Sequence, residues 1–359
     1  MPENCPYHDL PPTSFWRSGV AESQPANLDP VISVPFTITR DDKIATAGSC
    51  FAQHLANRIA ASGHIYFLTE PGYPRLTGPL KTAFNYGTFS ARFGNIYTTR
   101  QLLQLALRAY GVFKPAEDFW RNGPHWVDPF RPLIQPEGFE TREEAELDRA
   151  QHLAAVRRMM EELDVFIFTL GLTETWVCKS DGAVLPVCPG CGAGRFDPDK
   201  YEFKNFEVDE VTADFLAFAE QLRRVNPASR IILTVSPVPL VATYSPHHVL
   251  PATVYSKSVL RVAADRIART LSNCAYFPSY EIITSPSARG RYFAEDLRNV
   301  TNDGVDHVMR VFFRHYCDAS VIPVTATPEP KDVTSRSGDI LDAICDEYAS
   351  LRAHERAVK

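Results

Sequence analysis

The octapeptide DVFIFTLG at 164–171 constrains the fold more than any other stretch of the chain, and it follows directly on a segment of helical period at 142–163. A strand this apolar offers no face to water, so it must be covered on both sides, which is the situation of a central strand in a parallel sheet. Shorter apolar runs recur at 43–48 (KIATAG), 64–68 (HIYFL), 230–237 (RIILTVSP) and 274–278 (CAYFP). Between them lie segments whose apolar residues return every three or four positions, at 51–62, 99–110, 208–225 and 253–271, with a last one at 302–316. Strands alternating with helices predict an α/β fold, a five-stranded parallel sheet with helices on both faces.

This rhythm occupies about 41–318. Residues 1–40, rich in Pro, Ser and Asn, read as an arm wrapped over the domain, with Phe15 and Trp16 as its expected anchors. Two stretches are too long to be simple connections and interrupt the rhythm at about 111–140 and 172–207. The second reads as a β-hairpin with turns at Ser180-Asp181-Gly182 and Pro189-Gly190. The tail, 319–359, carries a polar helix near 340–356.

The net charge of -6 and the absence of a basic run give no support to nucleic-acid or anionic-membrane binding. No apolar run approaches the length of a membrane span, and the first residues, MPENCPYHDLPP, do not read as a secretory signal. The expected location is therefore cytoplasmic. The eight cysteines are scattered rather than arranged as a disulfide framework. Cys178 with the Cys188–Cys191 CPGC pair resembles half of a zinc knuckle, but a second Cys-x-x-Cys is missing, so the expectation is no metal and no cofactor.

In open parallel sheets, ligands bind outside the carboxyl ends of the strands. Those ends present Gly48-Ser49-Cys50, then Gly171-Leu172-Thr173-Glu174, then SPVP at 236–239, and then PSYEIITS at 278–285 with Glu281. A serine on a tight strand-to-helix turn, beside glycine- and amide-rich turns, suits acyl transfer. Ser49 would be the nucleophile, with Gly94, Asn95 and Thr173 supplying oxyanion donors. His307 would be the base, oriented by Asp303, one helical turn earlier, or by Asp296. His54, in GSCFAQH, is a second candidate base, and Cys50 with His54 at i, i+4 a candidate thiol pair. Trp120, Trp126 and Trp176 either stack on sugar rings or cap the core. Arg131 and Lys257 either bind an anionic group or pair with carboxylates.

GSCFA at 48–52 is the signature of the GSCFA family of bacterial proteins. The blocks AGSCFAQH, FGNIYTTRQL, FTLGLTETW, TVSPVPL, YSKSVLR and YFPSYEI follow in order, so the chain resembles that family over about 41–313. The family in turn resembles the SGNH/GDSL hydrolases, which implies a flavodoxin-like three-layer α/β/α sandwich and an esterase or O-acyltransferase acting on an acylated carbohydrate or a similar ester. On that resemblance Ser49 is the nucleophile and Gly94 the oxyanion glycine. The chain departs from the SGNH pattern twice: Thr173 stands where an asparagine is usual, and Asp296-Leu297-Arg298-Asn299 ends in asparagine where Asp-x-x-His is usual. The resemblance therefore leaves a second possibility, an SGNH fold without catalysis that binds a glycan or a protein partner.

Overall fold

The computed structural model describes residues 5–317. After three short helical turns in the arm (Pro12–Ser14, Arg17–Ala21 and Pro25–Asn27), the elements run β1 (Lys43–Gly48), α1 (Cys50–Ala61), β2 (Ile65–Tyr66), α2 (Gly78–Ala83) and α3 (Thr99–Ala109). Then follow β3 (Trp120–Asn122), β4 (His125–Val127), α4 (Arg142–Glu162), β5 (Val165–Leu170), β6 (Glu174–Cys178), β7 (Val184–Leu185) and β8 (Tyr201–Asn205). The chain continues through α5 (Val208–Val225), β9 (Arg230–Val235), α6 (Val249–Thr270), β10 (Cys274–Tyr276), α7 (Ser279–Thr284) and α8 (Asn302–Tyr316). The polar helix expected near 340–356 lies outside the described residues.

Five strands form the all-parallel sheet in the order β10-β9-β5-β1-β2. Numbered by their sequence within this sheet the order is 2-1-3-4-5, so the direction of winding reverses between β1 and β5, the position where open α/β sheets bind ligands. Every residue of β5 is buried, as its unbroken apolar run requires. Alternate side chains divide between two cores: Phe166, Phe168 and Leu170 pack under α3 to α6, while Val165 and Ile167 pack under α1, α7 and α8. Complete burial of one such phenylalanine contributes roughly 1.5–3 kcal/mol.

Local signals set the helix ends. Thr141 and Glu144 form a reciprocal capping box at the start of α4. Helix α6 starts at Val249, four residues before the start read from periodicity, with the His248 side chain accepting from the Leu250 amide. Pro251 is tolerated because a first-turn residue needs no intrahelical amide bond. The two insertions are ordered antiparallel units, β3–β4 in the first and β7–β6–β8 in the second. Trp120 is buried in the core of these units, which settles it as a core residue, whereas Trp176 is half-buried.

The arm corrects one expectation. Phe15 and Trp16 are 40 % and 65 % exposed; the residues that anchor the arm are Leu28 and Ile38. Ile38 donates its amide to the Tyr316 carbonyl at the end of α8.

Candidate active site

Strand register brings Gly48, Thr169 and Thr234 side by side at the carboxyl ends of β1, β5 and β9. Gly48 has φ +145°, and a Cβ there would lie 2.7 Å from the Thr169 carbonyl oxygen, so only glycine fits. The chain turns at this point into α1, with Ser49 as N-cap. A serine at that position ordinarily accepts from an amide of the first turn. The Ser49 hydroxyl does not, and the turn is closed by the Ala52 amide on the Ser49 carbonyl. Its hydroxyl instead faces the next turn, since a Cβ on Gly171 would sit 3.2 Å from Ser49 Oγ. Ser49 itself is 5 % exposed.

Three loops are tied around this hydroxyl. Ile96 donates to the Gly48 carbonyl, and the Tyr97 carbonyl accepts from the amides of both Gly171 and Leu172. Gln101 of α3 grips the same loop, its amide nitrogen donating to the Asn95 carbonyl and its oxygen accepting from the Tyr97 amide. Gln53 of α1 donates to Asn95 Oδ1 at 3.2 Å. From the other side, consecutive residues of α6 hold the Gly171–Thr173 turn: Ser256 Oγ accepts from the Thr173 amide, and the buried Lys257 ammonium donates to the Gly171 carbonyl at 2.7 Å. Gln53, Gln101 and Ser256 were not singled out from sequence, although all three fall within or beside the motif blocks. Beyond the two uses read for Lys257 in sequence, the structure shows a third, a hydrogen bond to a backbone carbonyl.

Thr173 carries one of two buried, unpartnered hydroxyls at these strand ends, the other being that of Thr169. Thr173 is 0 % exposed, and its hydroxyl has no hydrogen-bond partner among the described residues. A buried polar group without a partner costs about 1–3 kcal/mol and calls for an explanation.

The expected acid and base residues go to other places. His307 is 2 % exposed and fully engaged: its Nε2 donates to the Leu28 carbonyl and its Nδ1 meets the Tyr292 hydroxyl, both at 2.8 Å. Burial lowers its pKa, so the ring is neutral and staples the arm to α8 rather than serving Ser49. Asp303 is exposed in the first turn of α8 and makes no hydrogen bond to His307. Asp296 caps its own turn, accepting from the amides of Arg298 and Asn299 and from Asn299 Nδ2. Arg298 ties that turn to the SPVP loop through the Pro239 carbonyl. Glu281 is held by Arg261 and the Tyr276 hydroxyl.

His54 is half-buried on α1, with its pKa lowered by burial and then by Arg58, so it too is neutral. Arg58, one turn further on, pairs with Asp306 of α8, which places His54 on the face of α1 turned toward the start of α8. No imidazole nitrogen hydrogen-bonds Ser49 among the described residues. Glu174 accepts from Thr243 Oγ1 at 2.6 Å and from the Tyr244 amide, and burial raises its pKa.

The anion-binding reading of Arg131 also gives way. With Arg92 and Arg149 it forms a buried ion network on Asp128 and Asp148. That network holds the base of the RFGNIY loop through Arg92, whose amide donates to Glu70, itself bonded to His152. Cys178 Sγ faces Glu117, and Cys188 hydrogen-bonds Cys191; among the described residues no three metal-donor side chains converge. No helix among them is long and apolar enough to cross a membrane.

The model of the GSCFA family matches residues 43–312, most of the chain. No curated protein and no solved structure matches.

Proposed function

Because the chain belongs to the GSCFA family, we propose that its site is that of an SGNH-like serine esterase or O-acyltransferase, working on an acylated carbohydrate or a similar ester. One observation carries the reading: a serine in the N-cap position withholds its hydroxyl from the helix and directs it toward Gly171 at the sheet's switch point. The 2-1-3-4-5 strand order, shared with flavodoxin-like folds, supports it.

In this reading Ser49 Oγ attacks the ester carbonyl carbon, and its proton passes to a neutral base. The reading assigns that role to His54, the neutral imidazole carried by the helix that Ser49 caps. The carbonyl oxygen becomes an oxyanion, held by the first amides of α1 and by the Thr173 hydroxyl. The bond to the alcohol oxygen then breaks, the alcohol leaves with the proton from the base, and the acyl group remains on Ser49. Attack by water completes hydrolysis; attack by a sugar hydroxyl completes transfer. Lys257 and Ser256 keep the Gly171–Thr173 turn in register with Ser49.

A second reading, a fold without catalysis that binds a glycan, is favoured by the want of an imidazole on Ser49 and by Asn299 at the Asp-x-x-His position. Turnover of 4-nitrophenyl acetate by the wild type, Ser49→Ala, His54→Gln and His307→Gln separates the two. The enzyme reading expects activity that is abolished by the first two changes and survives the third. Activity unchanged by Ser49→Ala would refute it, and an inert wild type would favour the second reading.

A further inference from the structure

Beside the Ser49 turns lies a cleft of about 490 Å³ to which Glu174, Trp176, Phe203, Leu240, Thr243 and Tyr244 contribute. Its position follows from the chain. Glu174 is the residue after Thr173, and Leu240 packs in one small cluster with Leu172 and Tyr97, the residue whose carbonyl holds the Gly171 turn. The cleft thus begins one residue beyond the turn that Ser49 faces, with Glu174 on its wall.

We propose that this cleft is a subsite for a neutral sugar ring, the alcohol side of the ester; the assignment to the alcohol side rests on the esterase reading above. The walls are flat and apolar. Trp176 meets Tyr244 at 4.8 Å and Phe203 at 5.9 Å between ring centroids, and Phe203 meets Tyr244 at 5.5 Å, with planes crossed at 54–64°. Tyr244 is 67 % exposed, an aromatic surface that the fold itself does not bury. Among the described residues no basic side chain lines the cleft, so they offer nothing to an anion. A wholly apolar acyl chain would cover the Glu174 carboxylate without hydrogen-bonding it, at a cost. A sugar ring satisfies both features, with its C–H face on the aromatic rings and its hydroxyls on the carboxylate.

Glu174 has the capacity for this. A carboxylate offers about four acceptor sites; Thr243 Oγ1 and the Tyr244 amide use two and fix the loop that carries Tyr244. The remaining lone pairs are placed for sugar hydroxyls. Burial raises the Glu174 pKa, in keeping with a ligand that makes hydrogen bonds rather than ion pairs.

The test uses the Ser49→Ala chain, so that binding is read without turnover. Saturation-transfer NMR is run with xylotriose, chitotriose and maltotriose, and with choline as a cationic probe of the same rings. Transfer to the ring protons of at least one trisaccharide is expected, with affinity falling about tenfold on adding Trp176→Ala or the exposed Tyr244→Ala. Transfer to none of the three, transfer indifferent to both aromatic changes, or stronger binding of choline would each overturn the proposal. Sugar binding by Ser49→Ala alongside a wild type that cleaves no ester would sink the esterase reading while leaving the sugar subsite in place.

Discussion

Adding one methyl group at Gly171 tests the geometry of the site without altering its chemistry. The backbone of Gly171 is not in the left-handed region, so alanine there carries no conformational penalty. Its Cβ would stand 3.1 Å from the Tyr97 carbonyl oxygen, 3.2 Å from Ser49 Oγ and 3.3 Å from Ser49 Cβ. All three contacts are tight. The Tyr97 carbonyl cannot retreat easily, because it accepts from the Gly171 and Leu172 amides, so the serine hydroxyl has to yield. Overpacking of this kind costs about 1–3 kcal/mol of stability. A hydroxyl pushed off its line of attack should cost at least about tenfold in acylation rate, equivalent to about 1.4 kcal/mol.

Gly304→Ala provides a control away from the site. Its Cβ would meet Tyr292 Cβ at 2.9 Å and Ile283 Cδ1 and Val300 Cγ1 at 3.0 Å, a tighter crowding in the second core. Urea unfolding and the rate of fluorophosphonate modification would be measured on both variants. A loss of stability at least as large in Gly304→Ala, with slowed modification only in Gly171→Ala, is expected. Equal modification rates in the two variants would refute the placement of Ser49 against Gly171.

Two further outcomes follow from buried groups. Thr173→Val removes a hydroxyl that has no partner among the described residues, so urea unfolding should show stability within about 1 kcal/mol of wild type, while ester turnover falls about a hundredfold; unchanged turnover would take Thr173 out of the oxyanion hole. His152 is fully buried, and its pKa is lowered from 6.5 to about 4, mainly by burial and then by the Arg131 charge, against the opposing pull of Glu70. The unfolded chain therefore takes up a proton as the pH falls below about 6.5 while the native ring stays neutral until about 4. Stability complete at pH 7 should drop by roughly 3 kcal/mol by pH 4 through this group alone, measured as a fall in the urea midpoint that His152→Gln flattens. Glu70 and Asp128, whose carboxylates are held below their usual range, act in the same direction at lower pH.

Local chemistry made the scaffold legible in the sequence. The unbroken apolar run of β5 can only be a strand covered on both faces, and the small residues at 48–50 mark the strand-to-helix turn that the structure builds. Helix α4 follows from its period. The residues that failed to read were those whose partners lie far away along the chain. His307 has the form of a terminal-helix base, but its Nε2 is taken by Leu28, 279 residues away, and nothing local to either residue announces that pairing. Phe15 and Trp16 look like anchors on hydrophobicity alone, yet the arm is held by Leu28 and Ile38, chosen by where the chain passes α8. Lys257 offered two uses in sequence; its grip on the Gly171 carbonyl depends on the packing of α6 over β9 and β10, which periodicity cannot supply.

The central claim is that Ser49 is a reactive nucleophile, and the most direct measurement is fluorophosphonate labelling of the intact protein followed by peptide mass mapping. The account predicts a single adduct on Ser49, absent from Ser49→Ala and retained in His307→Gln. An adduct on another residue, or none on a chain whose fold is intact, would contradict it.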